Sequence, residues 1–144
     1  MQQGPSSLAQ SADNLRTWAV RWSNEIRAHG ARAALLTVWA EGNRSYILNA
    51  VIRSYRDAAV AAHAQVLPAG SAWRAAWRKN PTLRLYGPDD FHPSRLGAIL
   101  AALVAYGGLT GTRPAAVPLP EVPRATAKIL RRAAADALAR PTAP

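Results

Sequence analysis

The stretch Ala33-Ala34-Leu35-Leu36-Thr37-Val38-Trp39 predicts the fold of this 144-residue chain. It is a continuous apolar run between a helix that Gly30 ends and a polar loop, which is the pattern of a parallel strand buried on both faces. A second apolar run, Ala64-Gln65-Val66-Leu67, follows an amphipathic helix whose apolar face includes Ile52 and Tyr55. Because a single helix joins the two strands, they are predicted to pair in parallel with a right-handed crossover.

Further helices are predicted on both sides of this βαβ unit. The N-terminal helix carries an apolar face of Leu15, Trp18, Ala19, Trp22 and Ile26, and tryptophans at this spacing are typical of a core. We expect residues 1–111 to form an α/β domain, with helices on both faces of its sheet. Residues 112–123, with four prolines, form an extended connector, and residues 124–140 form a helix that packs on the domain.

Composition and charge argue against several classes of function. Net charge is +10, but sixteen of the 18 basic residues are arginine, mostly single on helix faces, so we expect no nucleic-acid partner. No run is apolar enough to cross a membrane, and the N-terminus lacks the pattern of a signal peptide, which leaves the compartment unknown. The chain has no cysteine, and His29, His63 and His92 are far apart in sequence, so we expect no metal site.

An acid and an imidazole stand three residues apart in the turn-rich stretch Leu85–Ser94. Gly87-Pro88 marks a turn, and Pro93 suits the first turn of a helix. The carboxylate of Asp89 is predicted to accept a hydrogen bond from Nδ1–H of His92, which leaves Nε2 as a general base. A helix-capping role for Asp89 explains the same spacing without any catalysis, so both interpretations stay open.

Other polar residues follow the first predicted strand. Glu41, Asn43 and Arg44 lie in the loop after its carboxyl end, the edge of a parallel sheet where ligands bind. The helix that follows His92 is predicted to run antiparallel to the strands, which brings Asp89 to the same edge. We therefore expect these loop residues to contact substrate, although an exposed Glu41–Arg44 ion pair explains that pair equally well.

The block Asp-x-x-His-Pro-Ser at Asp89–Ser94 resembles the last sequence block of the SGNH/GDSL family of serine esterases. The resemblance implies a flavodoxin-like three-layer sandwich and hydrolysis of carboxylic esters without a cofactor. It also implies that Asp89 and His92 belong to a Ser-His-Asp triad and that Gln2, in a variant third block, faces the oxyanion. The position after the triad acid is often Gly in the family and is Asp90 here.

The Gly-Asp-Ser block that carries the family's nucleophile is absent from these 144 residues. None of the eight serines stands in Gly-x-Ser-x-Gly, and Ser71, which alone follows a predicted strand into a helix, is assigned as a helix cap. We therefore expect a truncated hydrolase that lacks its N-terminal strands and is inactive alone. It acts on a small-molecule ester when completed, and it self-associates through an exposed sheet edge. The alternative is a non-catalytic α/β binding or assembly module.

Overall fold

A computed structural model of the chain describes residues 1–139. It is mixed α/β and mostly helical. The elements in chain order are α1 (Ala9–Ala28), β1 (Ala34–Leu36), a 3-10 helix (Gly42–Ile47), α2 (Leu48–Ala61), β2 (Gln65–Leu67), α3 (Ala69–Lys79), α4 (Arg95–Thr110), a second 3-10 helix (Pro114–Ala116) and α5 (Arg124–Leu138). The chain divides into two compact units, the first formed by Met1–Leu67 and the second by the described residues from Pro68 onward.

The strands of the first unit pair as the sequence predicts. β1 and β2 are parallel, with Leu35 opposite Val66, although each strand has only three residues. The N-terminal residue extends this sheet. Its amine donates to Ala34 O at 2.7 Å and its carbonyl accepts from Leu36 N at 2.9 Å, which is the hydrogen-bond pattern of a parallel neighbour. Residues Met1–Gln3 therefore lie along the side of β1 opposite to β2.

Both helices of the first unit pack against the sheet face that carries Leu35 and Val66. The buried cluster consists of Leu15, Ala19, Leu35, Val51, Tyr55, Ala58, Ala59, Ala62 and Val66. The prediction that the tryptophans of α1 are core residues is wrong, because Trp18 is 46% exposed and Trp22 is 55% exposed. The buried stripe of α1 is instead Leu15, Ala19 and Ser23, and the small size of the last two lets the helices approach closely.

A tyrosine of α2 holds the N-terminal segment in place. The buried hydroxyl of Tyr55 accepts a hydrogen bond from Gln3 N at 2.8 Å and donates one to Gln3 O. Burial raises the pKa of Tyr55 to about 12, against the opposing effect of the bond to Gln3. The Gln3 side chain in turn donates to Ser6 Oγ at 2.9 Å, so the segment is fixed through both backbone and side chain.

The second unit is a cluster of three helices, in which α5 packs against both α3 and α4. The predicted C-terminal helix is thus present to Leu138, while residue 140 lies outside the described residues. The connector of residues 112–123 is hydrogen-bonded to α5, since Arg131 Nε donates to Val117 O at 3.0 Å. The capping role predicted for Ser71 is wrong, because α3 begins two residues earlier, at Ala69 directly after Pro68.

Close packing sets the position of α4 in this unit. Gly97, in its first turn, lies against the Leu85 carbonyl and the Trp73 ring; a Cβ at this position would overlap the carbonyl oxygen and approach Trp73 Cζ2 to 2.6 Å. The Tyr86 ring meets the Trp73 ring edge-on, with 5.1 Å between the ring centroids. The residues that lead into the Asp89–His92 turn are therefore held directly against α3 and α4.

No helix within residues 1–139 is both long and apolar enough to cross a membrane.

Candidate functional site

The stretch Leu85–Ser94 is a closed loop whose two ends are joined by backbone hydrogen bonds. Ser94 N donates to Leu85 O and Gly87 N donates to His92 O, both at 2.8 Å. The Ser94 side chain then begins α4, because its Oγ accepts from Gly97 N at 3.2 Å while donating to Arg84 O. His92 thus stands at the helix entrance on a short, multiply bonded segment.

Asp89 and His92 make the hydrogen bond that their spacing predicts. The distance between His92 Nδ1 and Asp89 Oδ2 is 2.6 Å. The other carboxylate oxygen, Oδ1, accepts from the backbone N–H of Phe91 at 3.1 Å and of His92 at 2.9 Å. The same carboxylate therefore orients the imidazole and also accepts hydrogen bonds from the backbone of the turn. Both the acid–imidazole interpretation and the structural interpretation of the spacing thus correspond to contacts that are present.

These three donors also set the charge of the carboxyl group. The hydrogen bond from the His92 side chain, then those from the backbone of Phe91 and His92, lower the pKa of Asp89 from 3.8 to about 2. Asp89 is consequently a carboxylate across the neutral pH range. A carboxylate can only accept, so the neutral imidazole carries its proton on Nδ1 and leaves the lone pair on Nε2.

The imidazole is open to solvent. The His92 side chain is 73% exposed and that of Asp89 is 50% exposed. Within residues 1–139, Nε2 has no hydrogen-bond partner, and the Phe91 ring meets the imidazole edge-on at 4.9 Å between centroids. An oriented, accessible imidazole of this kind can take a proton from a hydroxyl group brought to Nε2.

A strained residue separates the acid from the base. Asp90 has a φ of +52°, in the left-handed region that glycine adopts most easily. Sequence reasoning missed this conformation, although the Gly expected at this position in the family pattern was a signal for it. The left-handed turn at Asp90 brings His92 back over the Asp89 carboxylate.

The remaining predicted site residues lie in the first unit. Glu41 and Arg44 form an ion pair at 3.1 Å, with Glu41 28% and Arg44 43% exposed on their side chains, in the 3-10 helix that also contains Asn43. Gln2 is exposed and lines a cavity beside α1. The geometry of Glu41 and Arg44 is that of the predicted ion pair. A contact of Gln2, Glu41, Asn43 or Arg44 with substrate stays a prediction.

No group of three or more His, Asp or Glu side chains within residues 1–139 is placed to hold a metal ion.

No protein-family model matches the chain, and no curated protein matches it. The fold, however, is a known one. The structure resembles the crystal structure of a DUF4886 family protein from Bacteroides uniformis ATCC 8492, with a TM-score of 0.78 over 92% of this chain and 18% sequence identity. The match covers 58% of that protein, so this chain spans less than two thirds of the length of its structural neighbour. At this identity the likeness shows a shared fold, and the function of the site must be argued from its residues.

Proposed function

We propose that Asp89 and His92 are the acid and base of a serine-type carboxylic-ester hydrolase of the SGNH/GDSL kind, with a flavodoxin-like sandwich as its full fold. The observation that carries the proposal is the 2.6 Å bond from His92 Nδ1 to Asp89, which leaves an accessible Nε2. The left-handed backbone of Asp90 supports it, because the family pattern has Gly at that position.

The reaction needs a serine hydroxyl in a sharp strand-to-helix turn. Ser71, the serine that follows β2, lies inside the first turn of α3 and not in such a turn, so we assign the nucleophile to polypeptide outside the 144 residues. His92 Nε2 takes the hydroxyl proton as the serine oxygen bonds to the ester carbonyl carbon. The same nitrogen returns that proton to the departing alcohol when the carbon–oxygen ester bond breaks. Water, deprotonated in turn by Nε2, releases the acid and restores the serine.

Hydrolysis of p-nitrophenyl acetate tests the proposal with two forms of the protein. We expect the 144-residue chain to be inactive and a form extended by the in-frame upstream coding sequence to turn over, because the base without its nucleophile loses nearly all of the covalent pathway. In the extended form, His92→Ala should abolish turnover. His29→Ala is a matched control, since His29 is also exposed and its Nδ1 lies 3.5 Å from the Glu25 carboxylate.

Two results would contradict the assignment. Robust hydrolysis by the 144-residue chain that survives His92→Ala would place the chemistry elsewhere. An extended form that is folded but inactive would favour the alternative, a non-catalytic α/β binding or assembly module. The bonds from Asp89 Oδ1 to two backbone N–H groups support that alternative, because they give the carboxylate a structural role that is sufficient by itself.

A further inference from the structure

The connector and the first two turns of α5 border an open groove in the second unit. Its volume is about 640 Å³, which lies within the roughly 300–1,000 Å³ of small-molecule sites. The charged part of its lining is Glu121, Arg124 and Arg131. The apolar part consists of Pro118, Leu119, Pro120, Val122, Pro123 and Ala127. An apolar surface with a few charged groups is the usual composition of a ligand site.

The wall that the connector forms offers few polar groups to a ligand. Its prolines have no N–H to donate, and their rings fix the backbone φ, so the wall is both apolar and stiff. Its carbonyl groups are also engaged. Leu119 O accepts from Val122 N at 3.2 Å, and Pro123 O accepts from Ala127 N at 2.9 Å. This side of the groove therefore suits the apolar part of a ligand.

Two guanidinium groups supply the side-chain donors of the groove. Arg124 begins α5, and Arg131 lies about two turns further on the same face, about 10 Å along the helix axis. The Nε of Arg131 is held by Val117 O at 3.0 Å, whereas Arg124 has no hydrogen-bond or ion-pair partner within residues 1–139. The carboxylate of the lining, Glu121, is already paired with Arg95. The groove therefore presents positive charge that its own acid does not neutralise.

We propose that this groove binds a small carboxylate that carries an unbranched apolar chain, with octanoate as a model of suitable length. The carboxylate accepts charge-assisted hydrogen bonds from Arg124, whose guanidinium matches it in shape and charge. The chain lies along the connector and covers Leu119 and the prolines, so that burial of its methylene groups adds to the affinity. A purely polar anion would leave the apolar wall uncovered. Because much of the lining is exposed, we expect a dissociation constant of about 1 mM.

Titration of the ¹⁵N-labelled 144-residue chain with octanoate, to about 20 mM at about 0.05 M NaCl, tests the proposal by NMR. The amide signals of Leu119, Val122 and Ala127 should shift together, and affinity should rise about twofold per methylene from butanoate to octanoate. Octylammonium has the same chain with the opposite charge and should bind at least about tenfold more weakly. Arg124→Gln should weaken octanoate binding about three- to tenfold. Arg78→Gln makes the same change at an exposed site of α3 outside the groove and should alter the affinity less than about twofold.

Anion-selective shifts at the groove that depend on chain length and weaken in Arg124→Gln would establish the site. The absence of shifts there at the highest octanoate concentration would overturn the proposal, and the groove would then be a gap that water fills. Equal binding of octanoate and octylammonium, or equal effects of Arg124→Gln and Arg78→Gln, would also overturn it, because the Arg124 guanidinium would have no specific role. The inference does not depend on the proposed hydrolase, since the readout is binding at a groove whose lining contains neither Asp89 nor His92.

Discussion

Replacing Gly97 by alanine tests whether close packing of α4 holds the Asp89–His92 loop. The added Cβ would overlap the Leu85 carbonyl oxygen and lie 2.6 Å from Trp73 Cζ2, about 1 Å inside ordinary contact. Overpacking of this kind costs about 1–3 kcal/mol, and we expect the upper end, about 3 kcal/mol, because a backbone carbonyl cannot rotate away as a flexible side chain does. Alanine returns up to about 1 kcal/mol through its helix propensity. We therefore expect a net loss of about 2 kcal/mol in the free energy of unfolding.

Thermal unfolding followed by circular dichroism should show a fall in Tm of about 4–8 °C for a chain of this size. Amide hydrogen exchange should also speed up at Ser94 and Gly87, whose N–H groups close the loop. Gly4→Ala is the matched control, because no atom lies within 4 Å of a Cβ built at Gly4. A Gly97→Ala protein with unchanged Tm and exchange would refute the argument, since α4 would then move away from Leu85 at no cost.

Three further changes probe the contacts described above. Asp89→Asn keeps the Oδ1 acceptor but presents an amide donor to His92, so ¹⁵N NMR should show the neutral ring proton moving from Nδ1 to Nε2; an unchanged tautomer would contradict the assigned bond. Tyr55→Phe removes both bonds to Gln3 and should lower stability by about 1–2 kcal/mol in urea unfolding. Because the folded-state pKa of Tyr55 is about 12, above its ordinary 10.0, the wild type should lose more stability than Tyr55→Phe as pH rises from 10 through 12. Ser94→Ala should cost about 1 kcal/mol in the same assay as the cap of α4 is lost, whereas Ser94→Thr should retain most of it.

The parts of the fold that depend on local pattern were predictable from the sequence. The apolar runs at β1 and β2, with a helix between them, predicted the parallel pairing. Helical periodicity also identified the apolar side of α1, but it does not specify which edge of that side is covered. Ala19 and Ser23 allow α2 to approach there, which leaves Trp18 and Trp22 at the open edge.

Contacts between residues close in sequence were likewise predictable, and contacts between distant residues were not. The three-residue spacing before a helix was enough to predict the bond between Asp89 and His92, because the chain there is short and closed on itself. The hydrogen bonds between the Tyr55 hydroxyl and the Gln3 backbone, by contrast, join residues 52 positions apart. Sequence pattern gave Tyr55 only as part of an apolar helix face, and a buried hydroxyl that needs a partner does not specify which one.

The distribution of tryptophan between the two units gives the protein its own spectroscopic labels. Trp18 and Trp22 are exposed and Trp39 is half-buried in the first unit, while Trp73 is buried and Trp77 half-buried in the second. Indole fluorescence shifts to longer wavelength in water and is quenched by soluble acrylamide only where the ring is accessible. The most quenchable, longest-wavelength emission therefore reports on the first unit, and the most shielded emission, that of Trp73, reports on the second. A single unlabelled sample can show whether the two units unfold together or in succession.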